Sequence, residues 1–404
     1  MEKMSLGLRE ALRLALEAIR PLPGQEVPLV ESVGRVAASD LYALVDSPST
    51  DVSLKDGYAV LSDEIAHATA EHPVRLRLLG SMAAGAEQDI HVTSGATVRV
   101  LSGAPIPKGA EAVVAGEFVK KGEHDVLVET FAEHGRNIQL RGSDVAQGDC
   151  VLPAGKEITP AMAGLLAAAG HSLVPVYRNP VVGIIGTGDE IVEPGNPVGE
   201  GKVYASNIIT VAGWCEKYGM QTRMTIAKDD HDALLNALRM LCDKTDAVVT
   251  SGGAWTGDHD MVAQVLEKLG WKQVFHRIRI GPGKAVGFGI LDRKPVFVLP
   301  GGPPSNLMAF LQIALPGLLA LSGHADPGLP KTKARLAAPL TGGHPDWTDF
   351  LFGTLDRNEP LPTFDPMKRR SSLRSIAQAT AIASIPEGQE SVPAGAVIDV
   401  QLLV

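Results

Sequence analysis

Residues 179–322 alternate strand-like apolar runs with helix-like amphipathic runs, and this alternation constrains the fold more than any other feature. The strand-like runs are VVGIIGT, MQTRMTIA, DAVVTS, VFHRIRI, AVGFGIL and PVFVLP. Parallel neighbours need a crossover helix between them, so the pattern predicts an α/β domain with a central mixed, mostly parallel sheet and helices on both faces. A last long helix is expected after LPGGPPSN.

The 404-residue chain is longer than one hydrophobic core usually serves, so further domains are expected around this sheet. An amphipathic helix at the N-terminus and a later helical stretch predict a discontinuous helical domain, 1–48 with 136–177, whose two parts pack on each other. Short strands between Gly and Pro turns predict a β-rich insert domain, 49–135. The α/β domain then spans 178–326, and a small C-terminal β domain spans 327–404.

The sharpest motifs of the α/β region all follow predicted strands. They are GTGDE, SGGAWTGDHD, GPGK and LPGGPPS. Ligands of open parallel sheets bind beyond the carboxyl ends of the strands, because that edge gathers the loops that follow them. The sequence therefore predicts a ligand site at this edge.

The second motif carries two opposing signals for a phosphate. Ser251, Gly252 and Gly253 form a glycine-rich turn after a buried strand, and such turns let backbone amides approach an anion. Asp258 and Asp260 follow closely and would repel the same phosphate. A divalent cation between carboxylates and phosphate resolves the conflict, so the segment predicts magnesium-assisted phosphate chemistry.

Other polar residues at strand ends have two interpretations each. Glu190 is either a solvated or capping carboxylate or a ligand of the site. Either Asp229 or Asp230 caps the following helix, which leaves the other free. Lys284 is a surface turn lysine or a point cation for an oxyanion, and Ser305 is a helix N-terminal turn residue or an anion donor.

Composition excludes several classes of partner and location. A formal net charge of -9 makes nucleic acid and anionic membranes unexpected partners. The most apolar run, 307–321, is interrupted by Pro316 and is shorter than the ~20 residues that span a bilayer, so no membrane segment is expected. Cys150, Cys215 and Cys242 lack metal-site spacing and are typical of reduced thiols, so a cytoplasmic protein is expected.

The four motifs, in this order, resemble the molybdopterin-binding domain shared by MoeA, the E domain of gephyrin and, more distantly, the MogA type. Upstream, KDGYAV, LSGAPIPKGAEAVV and NIQLRGSDVAQGDCVLPAGKEITP resemble successive segments of MoeA. The resemblance covers nearly the whole chain. It identifies the sequence as a divergent member of the MoeA family, with a MogA-like α/β domain.

The resemblance implies an elongated four-domain subunit, usually a homodimer, that acts as a molybdopterin molybdenumtransferase. This family takes adenylylated molybdopterin and molybdate, hydrolyses the adenylate with a divalent cation, here expected to be Mg²⁺, and inserts the metal at the dithiolene. It also implies a MogA-type adenylyltransferase and molybdoenzyme chaperones as partners.

In MoeA-like proteins the cleft lies between the sheet domain of one subunit and the β-rich insert of the other. The residues to which the resemblance gives a catalytic role are Asp56, Ser102, Asp144, Glu190, Asp229, Asp258 and Asp260. Glu190, Asp258 and Asp260 are also the implied metal ligands. The residues implied in substrate binding are Ser251, Gly252, Gly253, Thr256, Lys284, Gly301 and Ser305.

The chain departs from the family pattern in both anion loops. Where most members of the family have the first lysine and the last proline of K-P-G-K-P, this chain has Gly281 and Ala285. Where they have the asparagine and the valine of L-P-G-N-P-V-S, it has Gly302 and Pro304.

Either Arg277 or Arg279 could replace the missing charge, and strand alternation predicts that both point to one face. The departures keep open a pterin-binding or scaffold protein without activity. An adenylyltransferase on the same fold is the other alternative.

Overall fold

The computed structural model describes residues 6–85, 89–253, 261–367 and 373–403. Its α-helices before residue 327 lie close to the positions that the apolar spacing predicts, and one further helix, Leu373–Gln378, lies in the C-terminal region where the sequence predicts only strands. In chain order they are α1 (Leu8–Ala18), α2 (Pro160–Ala168), α3 (Ser206–Lys217), α4 (His231–Lys244), α5 (Met261–Lys268), α6 (Pro303–Ala309), α7 (Leu315–Leu321) and α8 (Leu373–Gln378). Residues Phe310–Ala314 form a π-helical segment that joins α6 to α7. Three short 3-10 turns cover Leu29–Ser32, Asp63–Ile65 and Gly116–Phe118.

The first part of the chain is rich in short strands. They are β1 (Gly24–Pro28), β2 (Leu41–Tyr42), β3 (Val52–Ser53), β4 (Gly57–Val60), β5 (Val74–Met82), β6 (Ala96–Val100), β7 (Ala112–Ala115), β8 (Val119–Lys121), β9 (Asp125–Val128), β10 (Ile138–Gln139), β11 (Cys150–Leu152) and β12 (Leu173–Tyr177). The strands β7, β4, β6, β5, β9 and β8 form one sheet in that order. Antiparallel pairing of β1 with β12 and of β2 with β11 joins the two ends of this region.

The middle of the chain contains the expected central sheet. Its strands and the short strands beside them are β13 (Val181–Thr187), β14 (Ile191–Val192), β15 (Val203–Tyr204), β16 (Gln221–Ala227), β17 (Ala247–Ser251), β18 (Lys272–His276), β19 (Ile280–Gly281), β20 (Gly287–Leu291) and β21 (Lys294–Leu299). The sheet order is β16-β13-β17-β21-β20-β18. The first four strands are parallel, and β20 and β18 add antiparallel pairs. The carboxyl ends of four strands therefore meet at one edge.

Helices cover both faces of this sheet, as the near-continuous apolar strands predict. Ile184 and Val249 belong to a buried cluster with residues of α3, α6 and α7. Their neighbours Ile185 and Val248 belong to a second cluster with residues of α4 and α5. Successive strand residues point to opposite faces, so each strand stabilises both layers.

The predicted packing of the N-terminal helix is wrong. Ala11, Ala15 and Ile19 of α1 are buried in the first cluster of the central sheet, rather than against residues 136–177. A Cβ on Gly317 of α7 would lie 2.5 Å from Phe297 and 3.0 Å from Ile19. The small residues on both helices allow this close approach, which an amphipathic pattern alone does not reveal.

The predicted strand VFHRIRI is also interrupted in the structure. Strand β18 ends at His276, and Arg277 has a φ of 66°, in the left-handed region. The chain turns there, and β19 pairs with the C-terminal region through Ile280 and Thr348. The alternation argument for Arg277 and Arg279 therefore does not apply.

The last region is a small β structure, as expected. Its strands are β22 (Lys331–Leu336), β23 (Leu340–Thr341), β24 (Thr348–Asp356), β25 (Thr363–Pro366), β26 (Ala381–Ile385), β27 (Ser391–Val392) and β28 (Val397–Leu402). The sheet runs β24-β25-β22-β28-β26, and β26 pairs again with β24. This last pairing closes five strands into a barrel, which removes exposed sheet edges.

One helical run, Pro303–Leu321, is long and apolar enough to cross a membrane by length and composition. Within the protein, 83% of its most apolar window is buried. It lies against α1 and the central sheet, so its apolar character is explained by the core. No other helix in the described residues has that length and composition.

Candidate active site

A cavity of about 1010 Å³ opens at the carboxyl edge of the central sheet. Each of the four parallel strands is followed by a segment that lines it. These segments contribute Gly188 and Glu190 after β13, Asp229 after β16, Gly252 and Gly253 after β17, and Gly301, Gly302 and Pro303 after β21. Their convergence follows from the parallel strand order, because every crossover returns the chain to the opposite edge.

Of Asp229 and Asp230, the structure shows which one caps the following helix and which one faces the cavity. Asp230 is the N-cap of α4, and its Oδ1 accepts a hydrogen bond from Ala233 N at 2.8 Å. Asp229 is left free and lines the cavity. Burial raises the pKa of Asp229, and the negative charges of Asp189 and Glu190 raise it further. The carboxylates at this edge of the cavity therefore repel one another.

Glu190 lies beside Gly188 at the end of β13. A Cβ on Gly188, which has a φ of 147°, would lie 2.5 Å from a carboxylate oxygen of Glu190. Glycine therefore allows the carboxylate to fold back over the strand end. Within the described residues, neither Glu190 nor Asp229 forms an ion pair with Lys, Arg or His.

Lys202 is the one basic residue among the described lining residues, and its ammonium donates to Asp189 O at 2.7 Å. No group of three His, Cys, Asp or Glu in the described ranges is placed to hold a metal ion. Glu190 and Asp229 can supply oxygen ligands of the kind that magnesium prefers, but a full set needs further donors.

The turn after β17 requires glycine at two positions. Gly252 and Gly253 have φ values of 101° and 72°. A Cβ on Gly252 would lie 2.5 Å from Thr187 O, so the two strand ends approach at backbone distance. Ser251 lines the cavity beside this turn.

Three predicted residues, Thr256, Asp258 and Asp260, lie outside the described residues. Two others, Lys284 and Ser305, do not line the cavity.

Those two residues lie near each other at a second location. A Cβ on Gly283 would lie 3.2 Å from Ser305 O, which places the GPGK loop against the start of α6. The ammonium of Lys284 is exposed, 5.9 Å from the ring centroid of Trp347 at the edge of the C-terminal barrel.

The predicted residues upstream of the α/β domain have hydrogen-bond partners of their own. Asp56 Oδ1 accepts from Ser102 N at 2.7 Å. Asp144 Oδ1 accepts from Gln139 Nε2 at 3.0 Å. The side chains of Asp56, Ser102 and Asp144 belong to exposed residues, and none of them lines the cavity of the same chain.

Arg279 is engaged by the C-terminal region. Its Nη2 donates to Glu387 Oε2 at 3.0 Å, and its Nε donates to Asp346 O at 3.1 Å. The guanidinium of Arg279 is therefore already paired within the protein, which leaves it unsuited to replace the missing charge for an oxyanion.

Sequence patterns missed four lining or supporting residues. Lys202 and Asn207 flank a short strand that has no clear alternation, Asn306 is buried in α6, and Leu373 reaches the cavity from α8 of the C-terminal region. A basic residue after the turn Gly199–Gly201 and an asparagine at each helix start were the available signals.

Three family models match the chain in succession. They are the MoeA N-terminal region (domain I and II) at residues 6–170, the probable molybdopterin binding domain at 183–320 and the MoeA C-terminal region (domain IV) at 333–403.

Individual relatives match over nearly their full length. "Molybdopterin molybdenumtransferase 2" of Mycobacterium tuberculosis (strain CDC 1551 / Oshkosh) is 31% identical over 98% of both chains. "Molybdopterin molybdenumtransferase" of Staphylococcus aureus (strain MSSA476) is 27% identical over 98% of this chain and 95% of its own. The crystal structure of the molybdopterin biosynthesis moeA protein from Pyrococcus horikoshii OT3 superposes with a TM-score of 0.84 at 29% identity, over 99% of this chain and 100% of its own. The chain belongs to the MoeA family, to which these molybdopterin molybdenumtransferases also belong.

Proposed function

We propose that this protein is a molybdenum insertase that hydrolyses adenylylated molybdopterin and inserts molybdate-derived metal at the dithiolene. One observation carries the proposal: an acidic, glycine-lined cavity of about 1010 Å³ lies at the sheet edge of a chain that matches molybdopterin molybdenumtransferases over 98% of its length. We expect the protein to act in the cytoplasm, downstream of a MogA-type adenylyltransferase and upstream of molybdoenzyme chaperones.

The cavity lining includes apolar residues and glycines, which suit the two halves of the substrate. Ile191, Val203 and Leu373 offer apolar surface for the flat pterin. Gly252 and Gly253 allow phosphate oxygens to approach the backbone after β17. The pyrophosphate would then lie close to Glu190 and Asp229, with its phosphorus open to attack.

The two described carboxylates of the cavity are of the ligand type that magnesium prefers. Glu190 and Asp229 lack cationic partners in the described residues. Burial, and then the negative charges of Asp189 and Glu190, raise the pKa of Asp229, and a cation would offset these charges. We propose that Glu190, Asp258 and Asp260 hold the ion together with oxygens of the pyrophosphate, with Asp229 beside them. When bound, magnesium would screen the charge of the pyrophosphate and polarise its phosphorus. Attack by water or molybdate on that phosphorus breaks the anhydride bond and releases AMP.

A second copy of the chain would complete this site. Asp56, Ser102 and Asp144 are exposed and lie apart from the cavity of their own subunit. We propose a homodimer in which these residues face the cavity of the partner. Lys284 and Ser305, which do not line the cavity, would hold an oxyanion at their own location.

Subunit mixing tests both the activity and the shared site. Asp56→Asn and Asp229→Asn homodimers should each lose magnesium-dependent release of AMP from adenylylated molybdopterin. After unfolding and refolding as an equal mixture, half of the dimers are heterodimers, and each has one intact site. The mixture should therefore recover about a quarter of wild-type activity, from one half of the sites in one half of the dimers.

An inactive mixture that contains heterodimers would overturn the shared site, since every site built within one subunit would keep one substitution. Two differently tagged subunits allow heterodimers to be isolated and assayed alone. Formation of adenylate from ATP and molybdopterin by the wild-type protein would instead identify an adenylyltransferase. Pterin binding with no turnover at all would identify a binding or scaffold protein.

A further inference from the structure

Two asparagine side chains meet at one hydroxyl on the floor of the cavity. Asn207 Nδ2 donates to Ser251 Oγ at 3.2 Å and to Gly301 O at 2.7 Å. Asn306 Nδ2 donates to the same Oγ at 3.0 Å and to Pro300 O at 2.9 Å. Asn207 is in the first turn of α3 and Asn306 is in α6, so the pair ties both helices to the ends of β17 and β21.

The carbonyl partners fix the orientation of both amides. Gly301 O and Pro300 O can only accept hydrogen bonds, so the atom of each asparagine that faces them must be the amide nitrogen. Each NH₂ group has two hydrogens, one for its carbonyl and one for Ser251 Oγ. The serine oxygen therefore accepts two hydrogen bonds. Both of its lone pairs are occupied, and its own O–H is the one function left to it.

That O–H has no acceptor in the described part of the protein. Ser251 is 2% exposed, and no hydrogen bond from its hydroxyl to another described residue is present. Thr187, on the neighbouring strand, is 4% exposed, and its Oγ1 also has no partner in the described residues. Buried hydroxyls are nearly always hydrogen-bonded, so two unused hydroxyls that line one cavity indicate a ligand with acceptor atoms.

We propose that Asn207 and Asn306 are positioning residues that make Ser251 a pure hydrogen-bond donor to an acceptor oxygen of the substrate. The inference rests on the proposed function and adds that Ser251 donates a hydrogen bond to the substrate rather than accepting one. With both lone pairs engaged by amide hydrogens, Ser251 is a poor nucleophile and a poor proton acceptor, and donation is the role left to it. A phosphate oxygen or a pterin carbonyl is the chemistry that this donor recognises.

A double-mutant cycle measures whether the asparagines act through the serine. The probe is adenylylated molybdopterin, and the readouts are KM and kcat for magnesium-dependent AMP release. Ser251→Ala should raise KM about tenfold with little change in kcat, because the bond binds the ground state and the transition state equally. Asn207→Ala should raise KM about five- to tenfold in the wild-type background and less than about twofold beside Ser251→Ala.

Equal effects of Asn207→Ala in the two backgrounds would overturn the proposal, since they would show a structural role through Gly301. The matched control is Asn179→Ala, which removes an amide donated to Gly219 O at 2.9 Å at the other edge of the sheet and should leave KM unchanged. Asn306 is 1% exposed, so Asn306→Ala is included only if it folds, and the Asn207 arm decides alone if it does not.

Asn207→Asp provides an independent readout. An ionised carboxylate can only accept, so it would turn the O–H of Ser251 toward itself and away from the substrate. KM of this variant should rise with pH as the new carboxyl ionises, and by more than KM of the wild type does. A pH-independent KM in the variant contradicts the proposal. Absence of AMP release by the wild type overturns the proposed function first, and the inference falls with it.

Discussion

The two edges of the central sheet differ in how fully their buried polar groups are hydrogen-bonded. At the amino edge, the carboxylate of Asp246 accepts from both Nη atoms of Arg178 at 2.7 Å and from Val181 N at 2.8 Å. The hydroxyl of Thr245 donates to Leu241 O at 2.6 Å. Each group there has its partners, so this edge contributes to the stability of the fold.

At the carboxyl edge, the two buried hydroxyls keep unused hydrogen-bonding capacity within the described residues. Among those residues, Thr187 has an unpaired hydroxyl, and Ser251 accepts two hydrogen bonds but has no acceptor for its O–H. The exposed carboxylates of Glu190 and Asp229 form no ion pair with a described residue. Buried hydroxyls with unused hydrogen-bonding capacity therefore mark the ligand-binding edge of the sheet. Polar groups with all their partners mark its structural edge. Substitutions at the two edges should accordingly affect different properties.

The largest effect is expected from Asp229→Asn on catalysis. The substitution removes a carboxylate from the cavity, and magnesium-dependent AMP release should fall by roughly 100-fold. The free energy of unfolding should stay the same or rise slightly at neutral pH. The raised pKa of Asp229 means that its ionised form is disfavoured in the folded state, and this penalty is fully present above the folded pKa.

Asp230→Asn is the matched control, because asparagine caps a helix as well as aspartate does. It should retain nearly full activity although it changes the adjacent residue in the same way. Equal losses in the two variants would show that the cavity carboxylate has no special role, and the comparison of the edges would lose its main support.

The sequence predicts which strand ends form the site better than it predicts which side chains from distant elements support it. Glu190, Asp229 and the turn at Gly252 follow from strand ends and glycine positions, which are local signals. Asn207 and Asn306 act through contacts between elements far apart in the chain, which no local pattern contains. The same reason explains the wrong packing of α1, since its small residues match a distant glycine.

The domain boundaries stay predictions, as do the roles of the site residues. The structure gives the contacts that any boundary must respect, including α1 against α7. The roles of Asp258 and Asp260, which lie outside the described residues, are among these predictions.

A smaller effect, on stability, is expected from Asp246→Asn at the amino edge. Burial raises the pKa of Asp246, but hydrogen bonds from Arg178 and Val181 outweigh it and hold the pKa below its usual range. The substitution should lower the free energy of unfolding by about 1–3 kcal/mol at pH 7. Activity at 25 °C should change little.

The loss should depend on pH in one direction. A carboxyl with a depressed folded pKa contributes stability above its unfolded pKa, about 4, and loses the contribution as pH falls through the folded pKa. Urea unfolding of wild type and Asp246→Asn should therefore differ most at neutral pH and converge below about pH 4. A gap that persists at low pH would mean that packing, rather than the ion pair, is responsible.

The smallest effect provides the most direct comparison, because one substitution is made at both edges. Thr245 and Thr187 are each 4% exposed, and valine replaces either hydroxyl with a methyl group of similar size. Thr245→Val removes a hydrogen bond and leaves Leu241 O without it, so the free energy of unfolding should fall by about 1 kcal/mol. Thr187→Val removes a hydroxyl that has no partner among the described residues, so stability should be unchanged or higher. Chemical denaturation in the absence of substrate measures both. Equal losses would mean that the hydroxyl of Thr187 is satisfied without a ligand, and then unpaired polar groups could not be used to separate the functional edge of this sheet from its structural one.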